Sequence, residues 1–251
     1  YPAEGSGVPH IDTDSAAAWP QYRPHLRYGR RVRYPGWDLE RFFKPALGAS
    51  GTVTAGIAPD NAYPLVVEAI RSAEERIDIE AYTLEHDGLV MELVEQARRG
   101  VKVTVLLEGG PVGGIDDQEL WACQALHDTG HGVCAFMVNA PELDIHDRYS
   151  YLHAKVIIVD RKRVLIGSQN LTHSGIPDDD KSNGTGGSRG VVLVTDAPEI
   201  VSRAAEVFEA DYDPKNHADI VAWGSGDIPG YGPPPSGFTP DQGQDWVNYS
   251  V

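Results

Sequence analysis

His153-Ala154-Lys155 is followed at fixed spacing by Asp160 and then by Gly167-Ser168-Gln169-Asn170. The spacing gathers an imidazole, an ammonium, a hydroxyl and an amide. A neutral imidazole can attack phosphorus directly and carry a covalent intermediate. An ammonium with hydroxyl and amide donors can stabilise charge developing on phosphoryl oxygens. Together they suit cleavage of a phosphodiester without a metal. In a strand, residues two apart share a face, so His153 and Lys155 project together. Ser168 and Asn170 are again two apart, just past the next strand. A hairpin turning at Asp160-Arg161-Lys162 would let both pairs converge on one end of a sheet.

The elements needed to position these residues are legible from residue 51 onward, where strand and helix patterns alternate. Gly51 to Ile57, Arg76 to Tyr82, Val101 to Leu107 and Gly132 to Val138 read as strands. So do Leu152 to Val159, Arg163 to Ile166 and Val191 to Val194. Between them, Val66, Ile70 and Ala73 recur at helical spacing, with Asp60 and Asn61 as cap candidates and Pro64 in the first turn. Leu89, Leu93 and Ala97 mark a second helix that Gly100 ends. Asp116 to Asp128 reads as a third. Asp196 and Pro198 open a fourth, with Ile200, Ala204, Val207 and Phe208 as its apolar stripe. Repeated βα units predict an α/β fold, a mostly parallel mixed sheet flanked by helices on both faces.

This core spans 49–212. Residues 1–48 read as an irregular arm rich in Pro, Tyr and Arg, with Arg23, Arg27, Arg30, Arg31 and Arg33 as its basic stretch. Residues 213–251 dissolve into Gly, Pro and Asp and read as a linker or extended tail. The start at Tyr1 suggests a processed form or an excised portion of something longer. The formal net charge of −16 repels a phosphate backbone and counts against broad nucleic-acid binding. Cys123 and Cys134 would lie on neighbouring elements, either bonded or as two buried thiols. No apolar run reaches the ~20 residues that span a bilayer.

The segment His153-Ala154-Lys155, Asp160, Gly167-Ser168-Gln169-Asn170 resembles the signature of the phospholipase D superfamily. Ile77-Asp78-Ile79-Glu80-Ala81-Tyr82 and Val103-Thr104-Val105-Leu106-Leu107-Glu108-Gly109 are similar to that family's segments as well. The resemblance implies a phospholipase D-like fold and a two-step phosphodiesterase or phosphatidyltransferase without metal or cofactor. His153 would be the nucleophile, or the general acid serving its partner. Lys155 and Asn170 would hold phosphate oxygens, Ser168 would orient the phosphate or the imidazole, and Asp160 would position the motif. Members of this family combine two motif copies in one site. With one copy here, the second would come from a homodimer or from a missing segment. The expected substrate is a phospholipid or similar diester. A nuclease of the same superfamily and a catalytically weak binding half are the alternatives. A secreted or cell-envelope location is favoured over a cytoplasmic one.

One departure stands out. Family members often carry a Glu after the GSxN segment, bonded to the imidazole. Here Gly186-Gly187-Ser188-Arg189-Gly190 offers no carboxylate, and Ser188 is nearest. Either another acid orients His153 or this copy is weakened. The run Asp178-Asp179-Asp180 reads as a solvated loop. Asp144, His146 and Asp147 hint at a metal site but read better as ordinary loop residues. Gly109 to Gly114 follows a strand without Walker or Rossmann spacing and reads as a flexible loop rimming the cleft. Asn183-Gly184-Thr185 and Asn248-Tyr249-Ser250 match glycosylation acceptors by pattern only.

Overall fold

β-Branched runs and helical stripes resolve into eight strands and four α-helices in a computed structural model, which describes residues 46–178 and 186–241. The basic arm residues Arg23 to Arg33, Asp179, Asp180 and both asparagine acceptor patterns lie outside the described residues. In chain order the elements are β1 (Val53–Ala58), α1 (Ala62–Arg71), β2 (Arg76–Ala81), α2 (Asp87–Arg98), β3 (Lys102–Glu108), α3 (Asp117–His127) and β4 (Gly132–Met137). They continue with β5 (Lys155–Val159), β6 (Arg163–Gly167), β7 (Gly190–Thr195), α4 (Pro198–Asp211) and β8 (Ile220–Ala222).

The strands form one mixed sheet in the order β1-β7-β6-β5-β2-β3-β4-β8. The α/β class with a mixed sheet is as expected, but its parallel share is smaller than the βα pattern predicts. Only β2–β3 and β3–β4 pair in parallel; the other pairings are antiparallel. The reason is connectivity. Parallel neighbours need a helical crossover, whereas β5 and β6 are joined by a tight turn and must run antiparallel. Helices cover both faces. Apolar residues of α1, α2 and α3 share one core with Ile77, Val103, Val105 and Ile157. On the other face Val201, Ala205 and Phe208 of α4 pack with Ile158, Val164 and Leu106. Each such buried aliphatic side chain contributes about 1.5–3 kcal/mol. Cys123 of α3 and Cys134 of β4 form a disulfide across the first face, with Cα atoms 5.5 Å apart.

Several local expectations shift. Asp116 caps α3 by accepting from the Gln118 N–H at 2.8 Å. Asn61 does not cap α1 through its side chain; its Oδ1 accepts from Ile57 N–H and folds the turn back onto β1. Asp196 likewise leaves α4 uncapped and accepts from Thr52 N–H, tying β1 to the end of β7. The buried stripe of α4 runs through Val201, Ala205 and Phe208, so Val207 is exposed. Leu152 to Ala154 precede β5 rather than forming part of it.

The stretch from 213, expected as a linker or tail, is docked where it is described. Ile220 and Val221 are buried as β8 adds to β4. Asp219 accepts from the Arg148 N–H and from its Nε at 2.9 Å. Tyr231 donates its hydroxyl to the Gly109 carbonyl, and Asp241 exchanges backbone hydrogen bonds with the Gln118 amide. Apolar and aromatic residues scattered among the Gly and Pro give this segment enough to bury.

Candidate functional site

β5 and β6 form a hairpin whose two ends carry the motif. At the turn, Asp160 and Arg161 both have positive φ, 51° and 54°. Lys162 N–H donates to the Val159 carbonyl at 2.9 Å, closing a two-residue turn whose twist suits a hairpin. Non-glycine residues rarely adopt this conformation, and Asp tolerates it better than most. The Asp160 carboxylate adds a reason. It accepts from the backbone N–H groups of Glu74, Glu75 and Arg76 at 2.8–2.9 Å. Partial burial pushes its pKa up, but these three donors outweigh that and hold it below the ordinary aspartate value. Asp160 thus sits at the far end of β5 from His153, roughly 17 Å from Lys155 along the strand by rise alone. It does not join the His153 patch. It clamps the hairpin to the start of β2.

At the other end, Lys155 opens β5 and is buried; His153, two residues before it, is exposed. The Lys155 ammonium donates to the His153 carbonyl at 2.9 Å. Both side chains meet Tyr82, just beyond β2. The His153 ring stands edge-on to the Tyr82 ring at 4.8 Å between centroids, and the Lys155 ammonium lies 5.3 Å from the same ring centre. Tyr82 N–H donates to the Ala154 carbonyl, extending the β2–β5 ladder past the strand ends. Burial, then the adjacent Lys155 charge, lowers the His153 pKa below its usual value. Burial alone lowers that of Lys155. The imidazole is therefore biased toward the neutral, nucleophilic form.

The GSxN segment arrives beside this pair. Val156 pairs with Ile166, so Gly167 comes opposite Lys155; a Cβ on Gly167 would stand 3.6 Å from the Lys155 Cβ. Ser168 continues the ladder to β7. Its N–H donates to the Val191 carbonyl at 2.9 Å and its Oγ accepts from Val191 N–H at 3.0 Å. Asn170 leads into a tight turn closed by Gly175, where any Cβ would collide with the Asn170 carbonyl. The structure thus brings His153, Lys155 and the start of the GSxN segment to one end of the hairpin and sends Asp160 to the other.

Two residues outside the motif position it. Glu108, at the end of β3, accepts from Leu152 N–H at 2.5 Å and Gly110 N–H at 2.8 Å, fixing the backbone directly before His153. Burial raises its pKa, and the two donors pull it back down in part. Tyr82 accepts from Val112 N–H at 2.6 Å, so the 109–114 loop reaches the group that His153 and Lys155 rest on. The sequence flags these residues only inside family-like segments. Their adjacency to His153 depends on the strand order, which puts β2 next to β5. Where a Glu would face the imidazole, Ser188 instead donates its N–H to Ser174, and Arg189 pairs with Asp60. Among the described residues no carboxylate perturbs His153. Asp144 lies 3.6 Å from His146 at the surface, and burial raises the Asp147 pKa to about 6. These three residues gather no metal-ligand group.

Comparisons with known proteins point to one family. A family described as cardiolipin synthase, PLD-like domain, matches residues 66–212, more than half the chain. A protein named phospholipase D from Rickettsia typhi is 26% identical over 162 residues, covering 64% of this chain and 69% of that protein. One of the same name from Rickettsia conorii is 25% identical, covering 70% and 78%. Among solved structures, Nuc from Salmonella typhimurium, a phospholipase D family member, superposes with a TM-score of 0.51 at 24% identity. It covers 64% of this chain and 93% of its own. NucT from Helicobacter pylori superposes with a TM-score of 0.53 at 19% identity, covering 69% and 100%. The chain belongs to the phospholipase D superfamily.

Proposed function

We propose that this protein is a phosphodiesterase or phosphatidyltransferase acting through a covalent phosphohistidine on His153, with a phospholipid as substrate. The carrying observation is the exposed His153 imidazole, biased neutral and seated with the Lys155 ammonium on one tyrosine ring. In the first step an imidazole nitrogen attacks phosphorus, a P–N bond forms and the P–O bond to the leaving alcohol breaks. The alkoxide takes its proton from a general acid, which a second motif-bearing half would supply. In the second step water or an alcohol attacks phosphorus, the P–N bond breaks and its proton returns to the acid. Lys155, Ser168 and Asn170 hold phosphate oxygens throughout, Asp160 positions the hairpin, and no metal takes part in either step.

The phospholipid reading draws on the name phospholipase D carried by the Rickettsia relatives and on the net charge of −16. That charge opposes a broad nucleic-acid-tracking surface. What supports a second half, from a homodimer or a further segment, is an exposed apolar face. Ile166, Leu193 and Ile57 are apolar yet exposed on the strands beside the GSxN segment. The Cys123–Cys134 disulfide favours an oxidising, secreted or envelope setting.

The test is an acid-quenched reaction analysed by mass spectrometry of the His153 peptide. Phosphatidylcholine vesicles, single-stranded DNA and a small aryl diester serve as separate substrates. A phosphoryl adduct on His153 with the vesicles, and not with DNA, is expected. An adduct with DNA alone would make the protein a nuclease. No adduct and no turnover with any of them would make it a binding half.

A further inference from the structure

His86, Asp87 and His173 are used by nothing described so far. His86 precedes α2, Asp87 is its first residue, and His173 follows the GSxN segment. Leu84 pairs with Leu171 in an isolated parallel bridge, and the N–H groups of Glu85 and His86 both donate to the Leu171 carbonyl at 2.9 Å. That bridge brings residues nearly ninety positions apart in sequence face to face. The two imidazole rings lie 4.2 Å apart between centroids. His173 Nε2 is 3.0 Å from Asp87 Oδ1, and His86 Nδ1 is 3.8 Å from the same oxygen. One ligand atom from each of the three lies within 4.8 Å of the others. Ligands at zinc–nitrogen and zinc–oxygen bond lengths around a tetrahedral ion stand about 3.3 Å apart. The observed separations straddle that value.

The second observation is what these nitrogens lack. His86 is fully buried, yet neither of its ring nitrogens has a well-formed hydrogen bond; the nearby backbone groups are those of Ile176 and of His86 itself. His173 is nine-tenths buried, and its Nε2 meets Asp87 at hydrogen-bond distance without hydrogen-bond geometry. Buried polar atoms normally find partners, and each one left over costs about 1–3 kcal/mol. A histidine–aspartate pair alone would still leave His86 without a hydrogen bond of good geometry.

We propose that His86, Asp87 and His173 form a binding site for a borderline divalent transition metal ion such as zinc, distinct from the His153 patch. Two imidazoles and one carboxylate select such an ion over magnesium or calcium, which prefer all-oxygen ligands. His86 Nδ1 faces the shared position, while its Nε2 points to Asp178 Oδ1 at 4.0 Å. At that distance the carboxylate attracts the ring without hydrogen-bonding it. The Tyr63 ring stacks on His86 at 5.1 Å and walls the site on one side. Asp87 remains partly exposed and leaves a way in. Three protein ligands leave a fourth position for water. The bound ion would staple the turn after Asn170 to the start of α2 and so hold the GSxN segment against β2. This role is structural and does not rest on the phosphohistidine reading.

Titration of the whole, chelator-stripped protein with Co²⁺ tests the site directly, because tetrahedral Co²⁺ shows intense visible d–d absorption. Saturation at one equivalent is expected, with zinc displacing the cobalt and raising the melting temperature. His173→Gln and Asp87→Asn keep side-chain size, and circular dichroism checks their folding. Each should weaken cobalt binding at least tenfold, whereas His146→Gln in the surface loop should not. Absence of the tetrahedral spectrum in the unmodified protein would overturn the proposal. So would the same spectrum and affinity in both variants.

Discussion

The two ends of the β5–β6 hairpin use their residues in opposite ways. At the Asp160 end, one carboxylate answers three backbone N–H groups and its acidity is shifted to match. At the His153 end, an exposed imidazole and a buried ammonium share a tyrosine ring; partial desolvation and the Lys155 charge disfavour charge on the imidazole, and burial disfavours it on the ammonium. One end spends its polar groups on holding the sheet together. The other leaves its imidazole free to meet a ligand. A single contiguous motif therefore contains an end with an open imidazole and a structural end, separated by the length of β5.

Substitution at each end should separate activity from stability. His153→Ala is expected to lower turnover of a diester by about 10³-fold or more while leaving the thermal midpoint nearly unchanged. Steady-state kinetics and a melting curve on the same preparation check both halves. Asp160→Ala should do the reverse. It removes charge-assisted hydrogen bonds to β2 and should cost about 1.5–3 kcal/mol of unfolding free energy, with kcat per folded molecule within a few-fold. The sign with pH follows from the lowered Asp160 pKa. Its stabilisation is fully present above the unfolded value of about 4 and is lost as acid protonates the carboxylate, so the gap between the native protein and Asp160→Asn should close in acid. Urea unfolding at several pH values would show this, and a gap that widened in acid would contradict the clamp.

Smaller effects probe the support of the His153 end. Tyr82→Phe keeps the ring under His153 and Lys155 but loses the Val112 bond, for about 1 kcal/mol of stability. Activity should fall only a few-fold, whereas Tyr82→Ala should cost more. Equal losses in the two variants would mean that the hydroxyl, not the ring, is what matters. Lys155→Met removes one of the two causes that depress the His153 pKa. The His153 pKa followed by NMR should then move up toward its usual value, though burial keeps it from returning fully.

The grouping of the motif residues is legible in the chain itself. The HxK, Asp and GSxN spacing points to one hairpin, and hydrophobic periodicity places most of the strands and helices around it. The caps are less legible. Asn61 and Asp196 have the right side chains for capping, but Asn61 answers β1 backbone and Asp196 the residue just before β1 instead. A side chain able to cap a helix can equally bond a strand that the fold brings close, and sequence does not rank the two. The 213–241 stretch misleads for a similar reason. Gly and Pro signal irregular backbone, and irregular backbone can still dock, as Asp219 on Arg148 and Tyr231 on Gly109 do.

What sequence settled is local. Side-chain chemistry and short spacings set which groups could act and which residues alternate in and out, because strand and helix periodicities are properties of neighbouring residues. Tertiary structure decided which distant residues meet. It put Asp160 on Glu74 to Arg76, Tyr82 under His153, Glu108 behind Leu152 and His86 against His173. Those meetings follow from strand order and register across the sheet. Strand order is fixed by the burial of two apolar faces at once, a condition no local window of residues contains.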